Sequence, residues 1–359
     1  MKTYEIALYP GDGIGPEVIE QTVRILAKLE AIELRKGDFR LRLTSLPWGS
    51  NYWSETGTVV PENFLERLRS FDAILLGAVG DPARIPDHIT LDPLKRIRQT
   101  FDQYACVRPA RLLQGVTCPL VGKNPSHIDL VVIRENSEGE YVDSGGRFKV
   151  GKAEEFALQS AIHTRRGVER ILRFGFKLAL TRRRRLTMVT KSNAQRYGYV
   201  LWDEILDELR SEFPSVAAEK QHADAAVMNL VRRPEEFDVV VASNLFGDIL
   251  TDLGGLIAGG LGLAPSANLN PEREYPSMFE PVHGSAPDIA GEGIANPIAA
   301  ILSAAMMLEW LGSIEAADCI RQAVASTLLQ GAGTPDLGGH LNTRQMTDHI
   351  LQSMGTLND

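Results

Sequence analysis

Short apolar runs alternate along this chain with segments of helical periodicity. The run EIALYP (5–10) leads into the glycine-rich GDGIGPE, and VIEQTVRILAKLE then carries apolar residues at helical spacing. Further strand-like runs, each followed by a loop or a helix, are FDAILLGAVG, DLVVIRENSEGEY, LTMVTKSN and FDVVVASNLFGDIL. Strands that alternate with helices favour a mostly parallel sheet that is covered on both faces. We therefore predict an α/β architecture.

The composition limits the kind of protein that this chain can be. A length of 359 residues suggests about two domains, and an apolar content of 44% is enough for their cores. The net charge of −8 opposes nucleic-acid binding, and we interpret RRRR (182–185) as a solvated turn before a strand. The sequence has no apolar run of about 18 residues and no leader-like N-terminal segment. We expect a cytoplasmic protein that binds neither nucleic acid nor membrane.

The glycine loop GDGIGP (11–16) does not match the usual dinucleotide fingerprint. A GxGxxG motif that starts at Gly11 requires glycine at position 16, where this chain has Pro16. The sequence therefore argues against a Rossmann fold of the usual type. Pro16 suits the first turn of the following helix, whose N-terminus could hold a ligand. An ordinary strand-to-helix turn and a ligand-binding loop both remain open.

Two carboxylates lie four residues apart in the apolar segment SNLFGDILTDLGG (243–255). On a helix, Asp248 and Asp252 would project from the same face and repel each other. Because a buried, unpaired carboxylate is costly, the pair favours a cation between them. Oxygen ligands suit Mg²⁺ or Mn²⁺, and Asp224 is a third carboxylate in a similarly apolar setting. The alternative is that Asn244 and Asp248 cap the helix.

Three arginines are candidates for binding a substrate with several carboxylates. Arg98 and Arg108 lie ten residues apart, and Arg134 follows a strand-like run. Guanidinium groups bind carboxylates through paired hydrogen bonds, so arginines that converge near a divalent cation would form a polycarboxylate pocket. The alternative is that each arginine forms an ordinary surface ion pair.

The motifs follow the order found in the metal-dependent β-decarboxylating dehydrogenases. They are GDGIGPE, CVRPAR, RENSEGEY, TKSN, SNLFGDILTDLGG and EPVHGSAPDIAGEGIANP, and the match runs nearly from end to end. The chain thus resembles the isopropylmalate and isocitrate dehydrogenases, and DPARIPDH, FDQY and SANLNPER are most similar to the tartrate and D-malate dehydrogenase branch. The resemblance implies two α/β domains that share a large mixed, mostly parallel sheet, with a cleft between them. It implies an NAD-binding domain of residues 1–103 and 258–359, and a substrate, metal and dimerisation domain of residues 104–257.

The resemblance also implies a shared active site. The malate carboxylates common to the family's substrates would be bound by Arg98, Arg108 and Arg134. Asp248 and Asp252 would ligate Mg²⁺ or Mn²⁺ together with Asp224 of the partner subunit. The site would therefore span two chains of a homodimer.

Two further residues would carry out proton transfer in such a site. The resemblance implies that Lys191, from the partner subunit, accepts the hydroxyl proton while hydride leaves for the nicotinamide. Loss of CO₂ from the oxidised substrate leaves an enolate, which Tyr141 would help to protonate. The implied reaction is the oxidative decarboxylation of an (R)-2-hydroxy diacid, such as D-malate to pyruvate and CO₂.

The segment HGSAPDIAGEGIAN (283–296) resembles the family's adenosine-binding loop. Asp288 would bind the ribose hydroxyls, and a carboxylate there repels a 2′-phosphate, so we expect NAD and not NADP. K⁺ is a candidate second ion beside Mg²⁺ or Mn²⁺. The cofactor-binding residues implied by the resemblance are His283, Gly284, Ser285, Ala286, Asp288, Ile289, Asn296 and Ile14.

Substrate choice depends on the residues before Arg98, where TLDPLKRIR departs from the tartrate branch. The family's pattern implies that Asp92, Leu94 and Lys95 face the variable group on C3, where Asp92 would repel a third carboxylate. Alternatively, Asp92 is the N-cap of a helix and Lys95 points to solvent. We expect D-malate or tartrate, with 3-isopropylmalate or another 3-substituted malate as the alternative. A catalytically silent relative is disfavoured because every matching ligand position keeps the required residue type.

Overall fold

Ten strands form one mixed sheet in the computed structural model, which describes residues 2–36 and 39–356. The sheet has the order β2-β1-β3-β12-β11-β4-β5-β10-β8-β9. Strand β11 is antiparallel to β12 and β4, β4 is antiparallel to β5, and the other neighbours are parallel. The strands are β1 (Lys2–Gly11), β2 (Phe39–Ser45), β3 (Ala73–Ala78), β4 (Ala105–Arg111), β5 (Asp129–Glu135), β8 (Arg185–Thr190), β9 (Ala217–His222), β10 (Val239–Ala242), β11 (Pro265–Leu269) and β12 (Ser277–Pro281).

Helices connect most of these strands, as the alternation in the sequence predicts. A separate antiparallel ribbon consists of β6 (Gly145–Phe148) and β7 (Phe156–Gln159). Within the described ranges, no helix is long and apolar enough to cross a membrane. The helices are α1 (Gly15–Lys36), α2 (Ser50–Thr56), α3 (Phe64–Leu68), α4 (Asp87–Thr90), α5 (Asp92–Thr100), α6 (Arg165–Leu180), α7 (Arg196–Glu212), α8 (Ala223–Arg232), α9 (Asn244–Ile257), α10 (Ile298–Trp310), α11 (Ile314–Leu329) and α12 (Thr343–Thr356).

The sheet consists of two halves that differ in their origin along the chain. The half β2-β1-β3-β12-β11 comes from residues 1–103 and 258–359, and the half β4-β5-β10-β8-β9 comes from residues 104–257. The halves meet where β11 pairs with β4. The assignment of a cofactor domain and a substrate domain to these segments stays a prediction.

Successive residues of the central strands point to opposite faces of the sheet. On the first face, one continuous core includes Ile6 of β1 and Val241 of β10. On the second face, Leu250 of α9 packs in one core with residues of β10, whereas Ile97 of α5 belongs to another core with residues of β1. The second face is therefore divided between the two halves of the sheet.

Arginines 182–184 form the predicted turn before β8, and Arg185 is the first residue of the strand. Arg182 Nε donates to Asp238 Oδ1 at 2.8 Å, and the Arg185 backbone N–H donates to Asp238 Oδ2 at 3.3 Å. Asp238 is only 1% exposed, so the arginines neutralise a buried carboxylate. Arg182, Arg183 and the Arg185 backbone therefore have an internal role in holding the start of β8.

Candidate active site

Helix α9 carries Asp248 and Asp252, the carboxylate pair that the sequence analysis identified as a candidate metal site. Ser243 is the N-cap of this helix, and Asn244 is its first residue. Asn244 accepts a bond from Arg134 Nε at 2.8 Å and donates to the Glu138 carbonyl at 2.8 Å. Asn244 therefore positions an arginine and a loop. The alternative interpretation of Asn244 and Asp248 as helix caps is wrong, because their side chains bind groups outside the helix.

Two of the predicted arginines converge on Asp248. Arg134 Nη1 donates to Asp248 Oδ1, and Arg108 Nη1 lies 3.4 Å from the same oxygen and 4.0 Å from Asp252 Oδ1. Arg108 also donates to Thr251 Oγ1 at 2.7 Å. These two arginines are buried, so the alternative of surface ion pairs does not describe them.

Arg98 comes from the other half of the sheet, on α5. Its Nη2 donates to Glu280 Oε1 at 2.9 Å, and the same oxygen accepts a bond from Asn268 Nδ2 at 2.7 Å. Within the described residues, Arg98 Nε is buried and has no hydrogen-bond partner. A buried donor without a partner marks a place where a ligand oxygen would be favourable.

The period of the strands explains why these groups meet. On β4, Val107 belongs to the first-face core, so Arg108 points to the second face; Arg134 follows Ile133 of β5 in the same way. Helix α9 crosses close to β5 at Gly247, where a Cβ atom would lie 2.6 Å from Arg134 Cβ. Glycine at this position allows the carboxylates of α9 to reach the arginines.

The carboxylates of α9 differ in their electrostatics. Burial raises the pKa of Asp248, but Arg134 and Arg108 outweigh this effect, so the pKa is lowered. Burial and the charge of Asp248 raise the pKa of Asp252, despite the opposing effect of Arg108. The Asp252 side chain is 62% exposed, compared with 34% for Asp248. Asp252 is therefore an accessible carboxylate whose negative charge is incompletely balanced.

Tyr141 lies at the same carboxylate pair. Its hydroxyl donates to Asp248 Oδ2 at 3.0 Å, and the Arg134 guanidinium lies over its ring at 5.2 Å from the centroid. Burial and the charge of Asp248 raise the pKa of Tyr141 to about 12. The phenol therefore keeps its proton at neutral pH.

Lys191 and Asp224 form a separate cluster. Lys191 Nζ donates to Asp224 Oδ1 at 2.7 Å, and this bond lowers the pKa of Asp224. Within residues 2–36 and 39–356, no three carboxylate, histidine or cysteine side chains come together as a metal site. A single chain thus brings Asp248 and Asp252 together without the third predicted ligand.

Five of the predicted cofactor-binding residues line one cavity of about 310 Å³: Ile14, His283, Ala286, Ile289 and Asn296. Burial lowers the pKa of His283, although its contact with Gly284 opposes the shift. The ring atom Nδ1 lies 3.0 Å from the Gly284 carbonyl, and in the described part of the chain Nε2 is buried without a partner. A neutral His283 that donates from Nδ1 therefore presents Nε2 to the cavity region as an acceptor.

The three other predicted cofactor residues lie in the same loop. Gly284 and Asp288 are exposed, and Ser285 is buried. The Ser285 carbonyl accepts a bond from the Ile14 backbone N–H at 2.8 Å. Gly13 has φ +55°, and a Cβ atom there would lie 2.0 Å from the same carbonyl oxygen. The GDGIGP turn is therefore packed so closely against the predicted cofactor loop that only glycine fits at position 13.

The residues predicted to choose the substrate lie at the start of α5. The N-cap is Leu91, so the helix begins one residue earlier than the capping alternative proposed, with Asp92 as its first residue. Asp92 is half-exposed and lies 3.9 Å from Arg96. Leu94 packs in the second-face core and Lys95 is half-buried. The packing of Leu94 accounts for a leucine there without a substrate contact.

Sequence reasoning did not identify two carboxylates of the site. Glu280 binds Arg98, and Asp336 lines the cofactor cavity, where its Oδ2 accepts a bond from Asn296 Nδ2 at 3.0 Å. Both lie within turn-forming or strand-ending motifs, EPVHG (280–284) and GTPDLGG (333–339). An acidic residue within such a motif was the available signal.

Known proteins resemble this chain along its whole length. A model of the isocitrate/isopropylmalate dehydrogenase family matches residues 5–350. A probable tartrate dehydrogenase/decarboxylase of Agrobacterium vitis is 51% identical over 100% of this chain and 99% of the relative. A decarboxylating D-malate dehydrogenase of Escherichia coli is 49% identical over 98% of this chain and 99% of the relative.

Solved structures share the architecture. The isocitrate dehydrogenase of Methylococcus capsulatus has a TM-score of 0.87 and 35% identity, covering 98% of this chain and 99% of that one. The predicted fold, with its large mixed and mostly parallel sheet, is confirmed. From the family match and the full-length relatives, the chain belongs to the isocitrate/isopropylmalate dehydrogenase family of oxidoreductases.

Proposed function

We propose that this chain is an NAD-dependent, Mg²⁺- or Mn²⁺-requiring enzyme that oxidises and decarboxylates an (R)-2-hydroxy diacid, with D-malate or tartrate as its substrate. The observation that carries the proposal is the convergence of Arg108 and Arg134 on Asp248, with the exposed Asp252 one helical turn away. The names of the relatives, a probable tartrate dehydrogenase/decarboxylase and a D-malate dehydrogenase, support this substrate class.

Charge balance favours a divalent cation together with a diacid. Three arginines of the site face three carboxylates: Arg98, Arg108 and Arg134 against Asp248, Asp252 and Glu280. Addition of a divalent cation alone would leave two excess positive charges, and a substrate with two carboxylates restores neutrality. Since partly buried ions are stable only when balanced, the site suits the cation and the diacid as a pair.

The residues present fit the proposed metal. Asp248 and Asp252 offer only oxygen ligands, and the raised pKa of Asp252 reflects burial and a repulsion that a cation would relieve. When bound, the cation would stabilise negative charge on the hydroxyl oxygen of the substrate. The third ligand would be Asp224 of a second copy of this chain, and K⁺ remains a candidate additional ion.

Side chains of the protein would orient the substrate and carry out the proton transfers. The arginines would orient the two carboxylates of the substrate through paired hydrogen bonds. Lys191 would accept the hydroxyl proton as hydride passes to NAD⁺. Tyr141, which keeps its proton at neutral pH, would donate a proton to the carbon that loses CO₂. With D-malate the products would be pyruvate, CO₂ and NADH.

A homodimer is part of the proposal. Helices α8 and α9 expose apolar side chains, among them Met228 and Val231 on α8 and Ile249 and Leu256 on α9. Exposed apolar surface of this kind is typical of an interface between protein chains. Burial of this surface in a two-fold dimer would place Asp224, in the first turn of α8, and Lys191 in a position to serve the partner's carboxylate pair.

The lining of the proposed cofactor cavity supports binding of the adenosine part of NAD⁺. His283 Nε2, an acceptor without a partner in the described residues, could accept a bond from the adenine amino group. Asp288 is exposed on the same loop and would accept bonds from the ribose hydroxyls while repelling a 2′-phosphate. We therefore assign NAD binding to the domain of residues 1–103 and 258–359, and substrate and metal binding to residues 104–257.

The first prediction concerns the metal. We expect Asp252→Asn to retain or raise the Tm of the metal-free protein, because it removes a charge that burial and Asp248 disfavour. The variant should lose both turnover and the rise in Tm caused by Mn²⁺, which mass action gives to the wild type. Thermal unfolding with and without Mn²⁺ measures this effect. Asp207→Asn, on the exposed side of α7, is the matched control and should keep the Mn²⁺ response. Retention of that response by Asp252→Asn would refute the metal assignment.

The second prediction concerns the cofactor. We expect Asp288→Lys to raise the ratio of kcat/KM for NADP⁺ to that for NAD⁺ by about tenfold or more, since tenfold corresponds to only about 1.4 kcal/mol. Glu292→Lys, an exposed acidic residue of the same loop, should leave the ratio near the wild-type value. Steady-state NAD(P)H production measures both variants. An unchanged ratio in Asp288→Lys would contradict the role of this carboxylate.

The third prediction concerns the substrate. With Mn²⁺ and NAD⁺, kcat/KM should be highest for D-malate or a tartrate isomer, and lower for 3-isopropylmalate, isocitrate and homoisocitrate. The half-exposed Asp92 would disfavour a third carboxylate near C3. NADH formation across these substrates is the measurement. A preference for 3-isopropylmalate would replace the proposed substrate by an alkylmalate, and no turnover with any of them would reject the enzyme activity proposed here.

A further inference from the structure

One buried carboxylate holds the chain on both sides of Lys191. Asp203 of α7 accepts a bond from Thr190 Oγ1 at 2.8 Å through Oδ1, and a bond from Ser192 Oγ at 2.8 Å through Oδ2. Lys220 Nζ of β9 also donates to Oδ2, at 2.6 Å. The residues immediately before and after Lys191 are thus tied to the same side chain.

The hydrogen bonds to Asp203 are strengthened because their acceptor is an ionised carboxylate. Burial raises the pKa of Asp203, but Lys220, Ser192 and Thr190 outweigh it and lower the pKa, so the group is ionised at neutral pH. Bonds to an ionised acceptor are roughly twice as strong as those between neutral groups. Asp203 is 8% exposed, so solvent does not replace its partners readily.

Lys191 needs such a support. Its side chain is long and 27% exposed, and the only bond of its ammonium group in the described residues is the one to the exposed Asp224. A lysine side chain has many rotamers, so its backbone must be fixed if the nitrogen is to reach one proton. We propose that Asp203 is a positioning residue for Lys191, whose buried carboxylate fixes the TKSN segment for proton transfer. This inference rests on the proposed role of Lys191 as the base.

The structure offers a matched control at the other end of the same strand. Asp238 is also a buried aspartate with several partners, Arg182, Arg183 and the Arg185 N–H, and it holds the start of β8. Asp203 holds the end of β8, next to Lys191. If both aspartates serve only to stabilise the fold, their asparagine variants should have similar effects on activity.

The test uses Asp203→Asn and Asp238→Asn in the full-length enzyme. In Asp203→Asn, an uncharged amide of nearly the same size faces the Lys220 ammonium, so the hydrogen bond from Ser192 is weakened. Because a misplacement of about 1 Å costs roughly 100-fold, we expect kcat for D-malate oxidation to fall by about 10- to 100-fold, with KM nearly unchanged. Decarboxylation of added oxaloacetate, which needs no hydroxyl proton removed, should stay near the wild-type rate.

The Asp238→Asn control and two further variants complete the experiment. Asp238→Asn should lower the Tm but leave both rates near wild type per folded protein. Ser192→Ala removes only one of the hydrogen bonds to Asp203, so its kcat for D-malate oxidation should fall less than that of Asp203→Asn. This variant is the deciding one if Asp203→Asn does not fold. The inference would be overturned if Asp203→Asn lost oxidation and decarboxylation equally, or if Asp203→Asn and Asp238→Asn lost oxidation equally. If Asp203→Asn does not fold, a wild-type oxidation rate in Ser192→Ala would overturn it. Lys191→Met should abolish oxidation; if it does not, the proposed role of Lys191 fails, which is a distinct outcome.

Discussion

Two carboxylates one helical turn apart on an apolar helix set the constraint that the rest of the site satisfies. The chain supplies Arg134 and Arg108 to Asp248, and these arginines hold the pKa of that carboxyl below its usual range against the effect of burial. Asp252 receives less compensation, and burial together with Asp248 raises its pKa. This weakly compensated carboxylate supports the proposed cation, and the arginines support the proposed acidic substrate.

The mixed topology of the sheet delivers these groups to one place. Antiparallel β11 and β4 join the two halves, and β11 provides Ser266 and Asn268, which bind Arg108 and the Arg98–Glu280 pair. Strand alternation sends the arginines to the second face, where the two cores leave a polar boundary between α5 and α9. The same chain crossing that places β12 and β11 between β3 and β4 therefore brings these side chains together.

Spacing and residue type predicted the alternating architecture and the carboxylate pair, because each leaves a local signature. For the arginines, spacing left surface ion pairs open, and only the family resemblance assigned them to a substrate pocket. It did not predict Glu280 or Asp336, which matter through contacts between segments distant along the chain. The alternative in which Asp92 is the N-cap of α5 starts the helix one residue too late, since Leu91 is the N-cap although leucine has no capping group. Asp224 lies apart from Asp248 and Asp252 in the described part of one chain. The spacing of these residues along the sequence could not predict this separation.

The central claim is that carboxylates of two chains complete one metal site. It is tested most directly by mixing two inactive variants, Asp224→Asn and Asp252→Asn, after reversible dissociation. In a mixed two-fold dimer, one site would combine the intact Asp252 of one chain with the intact Asp224 of the other, so about a quarter of the wild-type activity should return at equal mixing. Mixed dimers that form, as shown by mass, but regain no activity would contradict the shared site.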